Sequence, residues 1–212
     1  MTAADLRVAR IARRQVDKFE ERRRELAGAA LQTLSELGYA RTSLREIAQN
    51  SSFSHGVLHY YFRDKADLIT YCVQQYKTEC VRRYDRIVTD SETAGRLAED
   101  FGAGLAETMA EDATLHRLWY DLRSQALFEE SFRADVLEID ATLQAMIWRI
   151  VTRYAELAGA EAVPDEATTY AMFDGLFQQQ LLHHLAGEAK ARERLARAAV
   201  QLLELTVPAT RS

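Results

Sequence analysis

The chain of 212 residues contains few of the residues that interrupt helices or cross-link folds: two prolines, nine glycines and two cysteines. Cys72 and Cys80 are eight residues apart within one helical pattern. A rise of about 1.5 Å per residue separates them by roughly 12 Å, which is too far for a disulfide. A disulfide-based fold is therefore excluded, and a reducing, cytoplasmic location is predicted.

The sequence also lacks the signatures of membrane proteins, secreted proteins and common enzymes. No apolar run approaches the roughly 18 residues of a membrane span, and the first residues, MTAADLRVARIARR, contain no apolar signal segment. Glycine-rich phosphate loops, Gly-x-Ser-x-Gly, Cys-x-x-Cys and His-Glu-x-x-His motifs are not found. Neither an enzyme nor a bound cofactor or metal is predicted, and no membrane is expected as a partner.

Positive charge is concentrated at the front of the chain. Residues 1–65 contain 12 Lys and Arg against 8 Asp and Glu, whereas the remainder carries a net charge of −9. A cationic segment on an acidic body suits a protein that presents one face to a polyanion. Ordinary variation of surface charge is the competing interpretation.

Apolar residues recur at helical spacing almost throughout, so the predicted fold class is all-α. A first helix is predicted over 18–37 and ends at Gly38, and a helix of about 27 residues ends near Gly159. Pro164 and Asp165 signal the next helix start. The segment 57–62, VLHYYF, has β-propensity, but a single strand among helices has no partner, so a short helix is predicted.

The segment 40–67 has the pattern of a helix-turn-helix. Ser43 and Glu46 fit a capping box, the run Asn50-Ser51-Ser52 favours a turn, and Ser54 can cap a second short helix ending near Phe62. We expect apolar side chains of both helices to face inward, namely Leu44, Ile47, Phe53, Leu58 and Phe62. The outward residues of the second helix can then contact base edges in a major groove, namely His55, Gly56, Val57, His59 and Tyr60.

Two stretches, TSLREIA at 42–48 and SHGVLHYYFRDKADL at 54–68, resemble the DNA-binding domain of the TetR family of bacterial regulators. The resemblance implies an N-terminal three-helix DNA-binding domain with a helix-turn-helix, a helical ligand-binding and dimerisation domain, and an Ω-shaped homodimer. It also implies residue roles. Thr42, Ser43 and Lys65 match phosphate-contacting positions, and Arg45 matches a position that reaches a base. Ser54 to Val57 match the start of the recognition helix. His59 and Tyr60 match an aromatic pair on the DNA backbone.

The sequence departs from that family in its turn and has a basic extension. Ser51-Ser52-Phe53 replaces a common Ala-Gly-Val, so a non-glycine residue is expected to adopt a left-handed conformation. The assigned domains are the extension (1–17), the DNA-binding domain (18–65) and the body (66–212). The extension is either an arm that follows DNA or, as the alternative, a disordered tail or a prolongation of the first helix. Its arginines are Arg7, Arg10, Arg13 and Arg14.

Large residues in the body are candidates for a ligand pocket, although such stripes are more often plain core. Arg123 needs an anionic partner near the buried edge, which could be Asp174, Asp121 or a ligand carboxylate. The candidate ligand-binding residues are Trp119, Tyr120, Arg123, Phe128, Trp148 and Tyr170.

The last two helices are expected to pair with their copies in a homodimer. The competing interpretation is that their apolar stripes only close the monomer's core. The candidate interface residues are Phe173, Phe177, Leu181, His184, Ala198 and Leu202.

The sequence thus predicts a TetR-like transcriptional repressor that a small-molecule inducer, not identified by the sequence, releases from a palindromic double-stranded DNA operator. The alternative is a helical adaptor, or a ligand-modifying protein that uses His183 or His184, without sequence-specific DNA binding.

Overall fold

The computed structural model describes the backbone of residues 3–208, and the side chains of 16–31, 33–34, 36–38 and 42–208. Within this part every regular element is an α-helix, which confirms the all-α prediction. No helix in these residues has an apolar stretch long enough to cross a membrane. The helices are α1 (Ala3–Arg41), α2 (Leu44–Gln49), α3 (His55–Tyr61), α4 (Lys65–Asp90), α5 (Ala94–Glu111), α6 (Ala113–Ala126), α7 (Arg133–Ala158), α8 (Glu166–Leu185) and α9 (Ala191–Thr206).

The chain divides into two compact units, and the boundary falls after Gln75. The first ten residues of α4 therefore belong to the N-terminal unit, whereas the sequence placed the boundary at 65. The reason is burial: Leu68 and Ile69 of α4 are fully buried, and the Cys72 thiol donates to the Ala27 carbonyl of α1 at 3.3 Å. These residues complete a core that includes Leu26, Ala30 and Leu34 of α1, Ile47 of α2 and Leu58 of α3.

Helix α1 differs from its predicted bounds at both ends. Its backbone is helical from Ala3. Of the interpretations given for the extension, the structure therefore agrees with a prolongation of the first helix. The side chains of Arg7, Arg10, Arg13 and Arg14 lie outside the described residues, and their role stays a prediction. Gly38 leaves the helical conformation with φ 75° and ψ 175°, as a glycine can without steric cost, and a short helical segment follows it.

The turn between α2 and α3 does not contain the expected left-handed residue. In the described residues only glycines have positive φ, so no residue of Ser51-Ser52-Phe53 adopts the left-handed conformation. Ser51 stabilises the turn instead, since its hydroxyl accepts a hydrogen bond from the Phe53 amide at 3.3 Å.

The C-terminal unit contains the rest of α4 and helices α5 to α9. Helix α5 packs along α9, α8 packs against α7 and α9, and α6 packs against α8. The predicted stops and starts are confirmed: Gly159 ends α7 in a left-handed conformation, and Asp165 caps α8 by accepting from the Thr168 amide at 2.7 Å.

Gly102 sets the spacing between α5 and α9. A Cβ atom at this position would lie 2.6 Å from the backbone oxygen of Ala196 on α9. A backbone atom cannot move aside as a side chain can, so the two helices approach this closely only because residue 102 is glycine.

We predict that Gly102→Ala destabilises the protein by about 1 to 3 kcal/mol in urea unfolding, because α5 and α9 must separate. Gly95→Ala, also in α5, is the control: its Cβ meets nothing within 4 Å. That variant should be unchanged or more stable by up to about 1 kcal/mol, since alanine favours helices. Equal effects of the two substitutions would contradict the close contact.

Candidate nucleic-acid interface and candidate ligand cavity

The predicted capping interactions position both helices of the helix-turn-helix. The Glu46 amide donates to the Ser43 hydroxyl at 3.2 Å, and the Ser43 amide donates to the Glu46 carboxylate at 2.8 Å, which completes the capping box before α2. At the start of α3, the Val57 amide donates to the Ser54 hydroxyl at 3.3 Å. Polar side chains at the helix starts thus define where α2 and α3 begin.

Helix α3 has one buried side and one exposed side. Leu58 is fully buried and Phe62, which follows the helix, is nearly so. His55, Gly56, His59 and Tyr60 are exposed and Val57 is half-buried. The predicted recognition residues therefore share the solvent side of a short helix, as major-groove contact requires.

Arg23 and Asp67 hold the helix-turn-helix between α1 and α4. The Arg23 guanidinium donates to Asp67 at 3.0 Å and lies 4.9 Å from the ring centre of Phe62 and 4.4 Å from that of Tyr71. Asp67 also accepts a hydrogen bond from the Arg63 amide at 2.9 Å, which fixes the connection between α3 and α4. One partly buried cation is thus matched by a carboxylate and two aromatic faces.

The other predicted DNA-binding residues have different surroundings. Ser43 and Arg45 are exposed, and Lys65 is half-buried at the first position of α4. Thr42 is only 3% exposed, and its hydroxyl donates to the Gly38 carbonyl at 2.7 Å. This hydroxyl stabilises the break after α1, and contact of Thr42 with phosphate stays a prediction.

The exposed surface of α3 continues into an aromatic cluster that sequence reasoning did not identify. Phe19 of α1 lies 4.8 Å from Tyr61 and 6.2 Å from Tyr60, measured between ring centres. Phe19 is half-exposed, because it covers the end of α3 instead of entering the core.

A cavity of about 60 Å³ lies in the C-terminal unit between α4, α5, α6, α7 and α8. Three predicted ligand-binding residues, Trp119, Tyr120 and Tyr170, line it. Most of its wall is apolar or aromatic, and few polar groups reach it. The lining residues that sequence reasoning missed are Lys77, Cys80, Tyr84, Leu105, Thr108, His116, Leu143, Met146, Ile147 and Asp174.

Three predicted ligand-binding residues do not line this cavity. Phe128 is 84% exposed, because α6 ends at Ala126 and the turn after it lies at the surface. Trp148 is half-buried on α7, about 100° around the helix from Ile147, which does face the cavity. Arg123 lies next to the cavity, where its guanidinium is held by carboxylates.

Arg123 forms the intramolecular pair that was one of its open alternatives. It donates to Asp174 at 2.6 Å and lies 3.4 Å from Asp140. Tyr120 donates to Asp174 at 3.0 Å, and Tyr170 donates to Asp140 at 2.7 Å. Burial, the carboxylates and these hydrogen bonds raise the pKa values of both tyrosines, so both phenols remain protonated donors at neutral pH.

A second polar network contains Lys77, the buried cation of the cavity wall. Its ammonium donates to Nδ1 of His116 at 3.2 Å, His116 Nε2 lies 3.0 Å from the Tyr76 hydroxyl, and Tyr76 donates to Asp112 at 2.9 Å. Burial and the nearby Lys77 charge lower the pKa of His116 well below its usual range, so the ring is neutral. This order of donors requires the Nε2–H tautomer.

The sequence did contain a signal for Lys77. On α4 it follows Val73 by four residues and precedes Cys80 by three, which places a lysine within an apolar helical stripe. The apolar stripe predicts a helix here but does not by itself show that the charge within it is buried. An ionisable group at such a position is either solvated by its long side chain or buried, and Lys77 is 5% exposed.

The predicted dimer residues divide into two groups. Phe173, Phe177 and Leu181 are buried within the monomer, and the two phenylalanines line the cavity, so their assignment to a dimer interface is corrected. The side of α8 on which they lie faces the unit's own core. His184, Ala198 and Leu202 remain partly exposed.

A shallow apolar groove runs along the outer side of α8 and α9. The side chains of Met172 and Leu205 are exposed there, and those of Leu202 and Ala198 are half-buried. Its lining residues are Met172, Gly175, Leu176, Gln179, Ala198, Gln201, Leu202 and Leu205.

Comparisons with known proteins agree with this arrangement. The family model "Bacterial regulatory proteins, tetR family" matches residues 26–72, which contain the helix-turn-helix and the start of α4. The transcriptional regulator BetI of Burkholderia thailandensis is 26% identical over 188 residues, which cover 87% of this chain and 94% of that protein. The regulator HbdR of Aromatoleum sp. is 40% identical over 50 residues, which cover 24% of this chain and 22% of HbdR.

The fold resembles that of FadR from Bacillus subtilis, solved with stearoyl-CoA, with a TM-score of 0.69 and 18% identity. The match covers 88% of this chain and 98% of FadR. The helix-turn-helix and the helical body define a transcriptional regulator. By residues 26–72, which contain its helix-turn-helix, the chain is similar to the TetR family of these regulators.

The buried position of Lys77 predicts a specific pH dependence of stability. Burial lowers the pKa of Lys77 from 10.5 to about 8. Between these values Lys77 binds more protons in the unfolded chain than in the folded protein, so its contribution to stability rises with pH. Burial also raises the pKa of the Cys72 and Cys80 thiols, which acts in the opposite direction over the same pH range. We therefore expect the Lys77 gain of roughly 1 to 2 kcal/mol between about pH 8 and 9.5 as a difference between the wild type and a variant without Lys77.

Urea unfolding of Lys77→Met should lack this gain relative to the wild type. Lys190→Met removes an exposed lysine at the start of α9 and should keep it. Parallel pH profiles of the wild type and Lys77→Met would show that Lys77 titrates normally in the folded protein.

Proposed function

We propose that the protein is a ligand-controlled repressor. In this proposal a two-fold dimer binds a pseudo-palindromic operator, and a small molecule in the cavity of the C-terminal unit releases it. The observation that carries the proposal is α3: a capped helix whose inner residues are buried and whose outer residues can donate to, accept from and pack against base edges.

The DNA contacts follow from exposure and chemistry. Ser43 and Ser54 present helix N-termini suited to phosphate, and Arg45 offers a guanidinium that can pair with guanine or phosphate. Lys65 and Tyr60 are assigned to the DNA backbone at the far end of α3. The residues assigned to the interface are Ser43, Arg45, Ser54, His55, Gly56, Val57, His59, Tyr60 and Lys65.

A dimer is needed because one helix of seven residues reads too few base pairs. Two copies related by a two-fold axis double the contacts and match a palindromic site. The apolar groove of α8 and α9 is the surface that supports pairing, since Leu205 and Met172 are exposed and Leu202 is half-buried in the single chain. His184, Ala198 and Leu202 are assigned to that interface.

The cavity supports control by a ligand, and Trp119, Tyr120 and Tyr170 are assigned to its binding. A space of about 60 Å³ accommodates only a few water-sized groups, so a larger molecule must displace the wall. Helix α4 forms part of that wall and continues into the N-terminal unit. A coupling free energy of about 1 to 3 kcal/mol would lower operator affinity roughly 5- to 150-fold.

Gly56→Ala tests whether α3 approaches DNA closely. A Cβ atom at Gly56 meets nothing within 4 Å in the protein alone, so stability should stay equal or rise by up to about 1 kcal/mol. In the complex the methyl group would separate the helix backbone from the DNA. We expect at least a roughly tenfold rise in Kd for a genomic fragment selected by the wild type, measured by fluorescence anisotropy.

The matched control is Gly28→Ala, on the exposed side of α1, where an added Cβ also meets nothing within 4 Å. It should leave operator affinity unchanged. If Gly56→Ala binds the selected fragment as tightly as Gly28→Ala, the outer side of α3 is not the DNA-reading surface.

Leu205→Glu tests the dimer surface. Leu205 is 72% exposed on α9, and a carboxylate there would have to be buried between two copies. We expect sedimentation at micromolar concentration to show a dimer for the wild type and a monomer for Leu205→Glu. Leu137→Glu, on the exposed side of α7, should remain dimeric. A wild-type monomer, or dimers for both variants, would refute pairing through this groove.

A further inference from the structure

Lys77 is the cation of the cavity wall that has no carboxylate partner. Among the described residues, no carboxylate oxygen lies within 4.0 Å of its ammonium, although thirteen other ion pairs are formed. Its hydrogen bond goes to the neutral ring of His116, and its charge lies 5.6 Å from the Trp119 ring centre. These contacts orient the ammonium but do not neutralise it.

Two intervening side chains connect Lys77 to the carboxylate of Asp112. Asp112 accepts from Tyr76, and Tyr76 contacts His116, which in turn accepts from Lys77. This polarised chain orients the ammonium and stabilises some of its charge. An ammonium carries three donors, and the bond to His116 uses one of them.

The acidic group of the same cavity is already occupied. Asp174 accepts from Arg123 at 2.6 Å and from Tyr120 at 3.0 Å. It is therefore poorly suited to hold a cationic ligand, since such a ligand would have to displace a guanidinium. Most other lining side chains on α5, α7 and α8 are apolar, and they include Leu105, Leu143, Met146, Ile147 and Phe173.

A buried charge without a partner is costly, and a hydrophobic residue of similar volume would pack there more stably. An anion in the cavity would reverse that cost, because the attraction between opposite charges is strong where water is excluded. Apolar walls around one such cation match a molecule with one anionic end and an apolar body.

We propose that the effector of the cavity is a small amphipathic carboxylate whose carboxylate pairs with Lys77 and whose body lies among the apolar side chains of α5, α7 and α8. This assignment rests on the proposed function only in treating the cavity as the effector site. Lys77 is then the residue that selects acids over amides and amines of the same shape.

Lysine resonances offer a direct test, because the chain has four lysines and Lys77→Met identifies the signal of Lys77. The full-length protein, with lysine Cε labelled by carbon-13, is titrated by NMR with acetate, butyrate, hexanoate, octanoate and benzoate. Each acid is compared with its primary amide, and benzoate also with benzamidinium, a cation of nearly the same shape. No DNA is present, so the result is independent of operator binding.

At least one acid should bind about tenfold or more tightly than its amide and raise the titration midpoint of Lys77 by about one pH unit or more. The shift is read at Lys77 itself because other titratable or charged groups face it. On α4 these are Tyr76, Cys80 and Tyr84, and across the cavity they are Asp112, His116, Tyr120, Arg123, Tyr170 and Asp174.

In Lys77→Met the preference for acid over amide should disappear, whereas Lys190→Met should keep it. Circular dichroism confirms that each variant is folded. The proposal is overturned if no acid moves the Lys77 midpoint, if amides bind as tightly as acids, if benzamidinium binds in preference to benzoate, or if Lys77→Met keeps the preference. None of these results would alter whether the protein binds an operator, which the Gly56→Ala comparison tests separately.

Discussion

The continuity of helix α4 is the constraint on which both units depend. Asp67, near its start, is held by Arg23 and fixes the connection to the recognition helix. Lys77 lies ten residues later, about 15 Å along the helix axis, in the wall of the cavity. The residues between them are largely buried, including Ile69, Cys72 and Val73. Helix α4 is continuous from Asp67 to Lys77, with no loop between them.

The two cations beside the cavity, Arg123 and Lys77, have opposite electrostatic surroundings. Arg123 is enclosed by Asp174 and Asp140, and each carboxylate also accepts from a tyrosine. This network is internally satisfied and ties α6 to α7 and α8. Lys77 is joined to a neutral imidazole and through it to a distant carboxylate. The first arrangement stabilises the folded unit, and the second keeps an unneutralised charge beside an apolar space.

Local chemistry made much of the fold predictable from sequence. The capping box of Ser43 and Glu46, the Ser54 cap and the glycine after α7 all depend on neighbouring residues, so their geometry could be inferred without tertiary information. The inward faces of α2 and α3 followed for the same reason. Thr42 could not be predicted, because its burial depends on the conformation of Gly38 at the end of α1.

The cavity could be predicted only in part, because its walls come from five helices. Helix α8 is apolar on more than one side: Phe173 and Phe177 face the cavity, while Met172 and Leu182 face outward. Periodicity cannot tell which side of the helix meets the core and which side meets another chain. Phe173 and Phe177 were therefore assigned to the dimer interface, although they face the core. The prediction that Phe128 lines the ligand pocket was wrong for a different reason, since an aromatic residue just beyond a helix end can lie at the surface.

Gly102 limits the direction in which the cavity can expand. Helix α5, which contributes Leu105 and Thr108 to the wall, packs directly against the backbone of α9 at Gly102. It therefore cannot move closer to α9. A molecule larger than the resting space therefore cannot be accommodated by a shift of α5 toward α9. The close α5–α9 crossing thus leaves any expansion of the space to the other helices of its wall, which are α4, α6, α7 and α8.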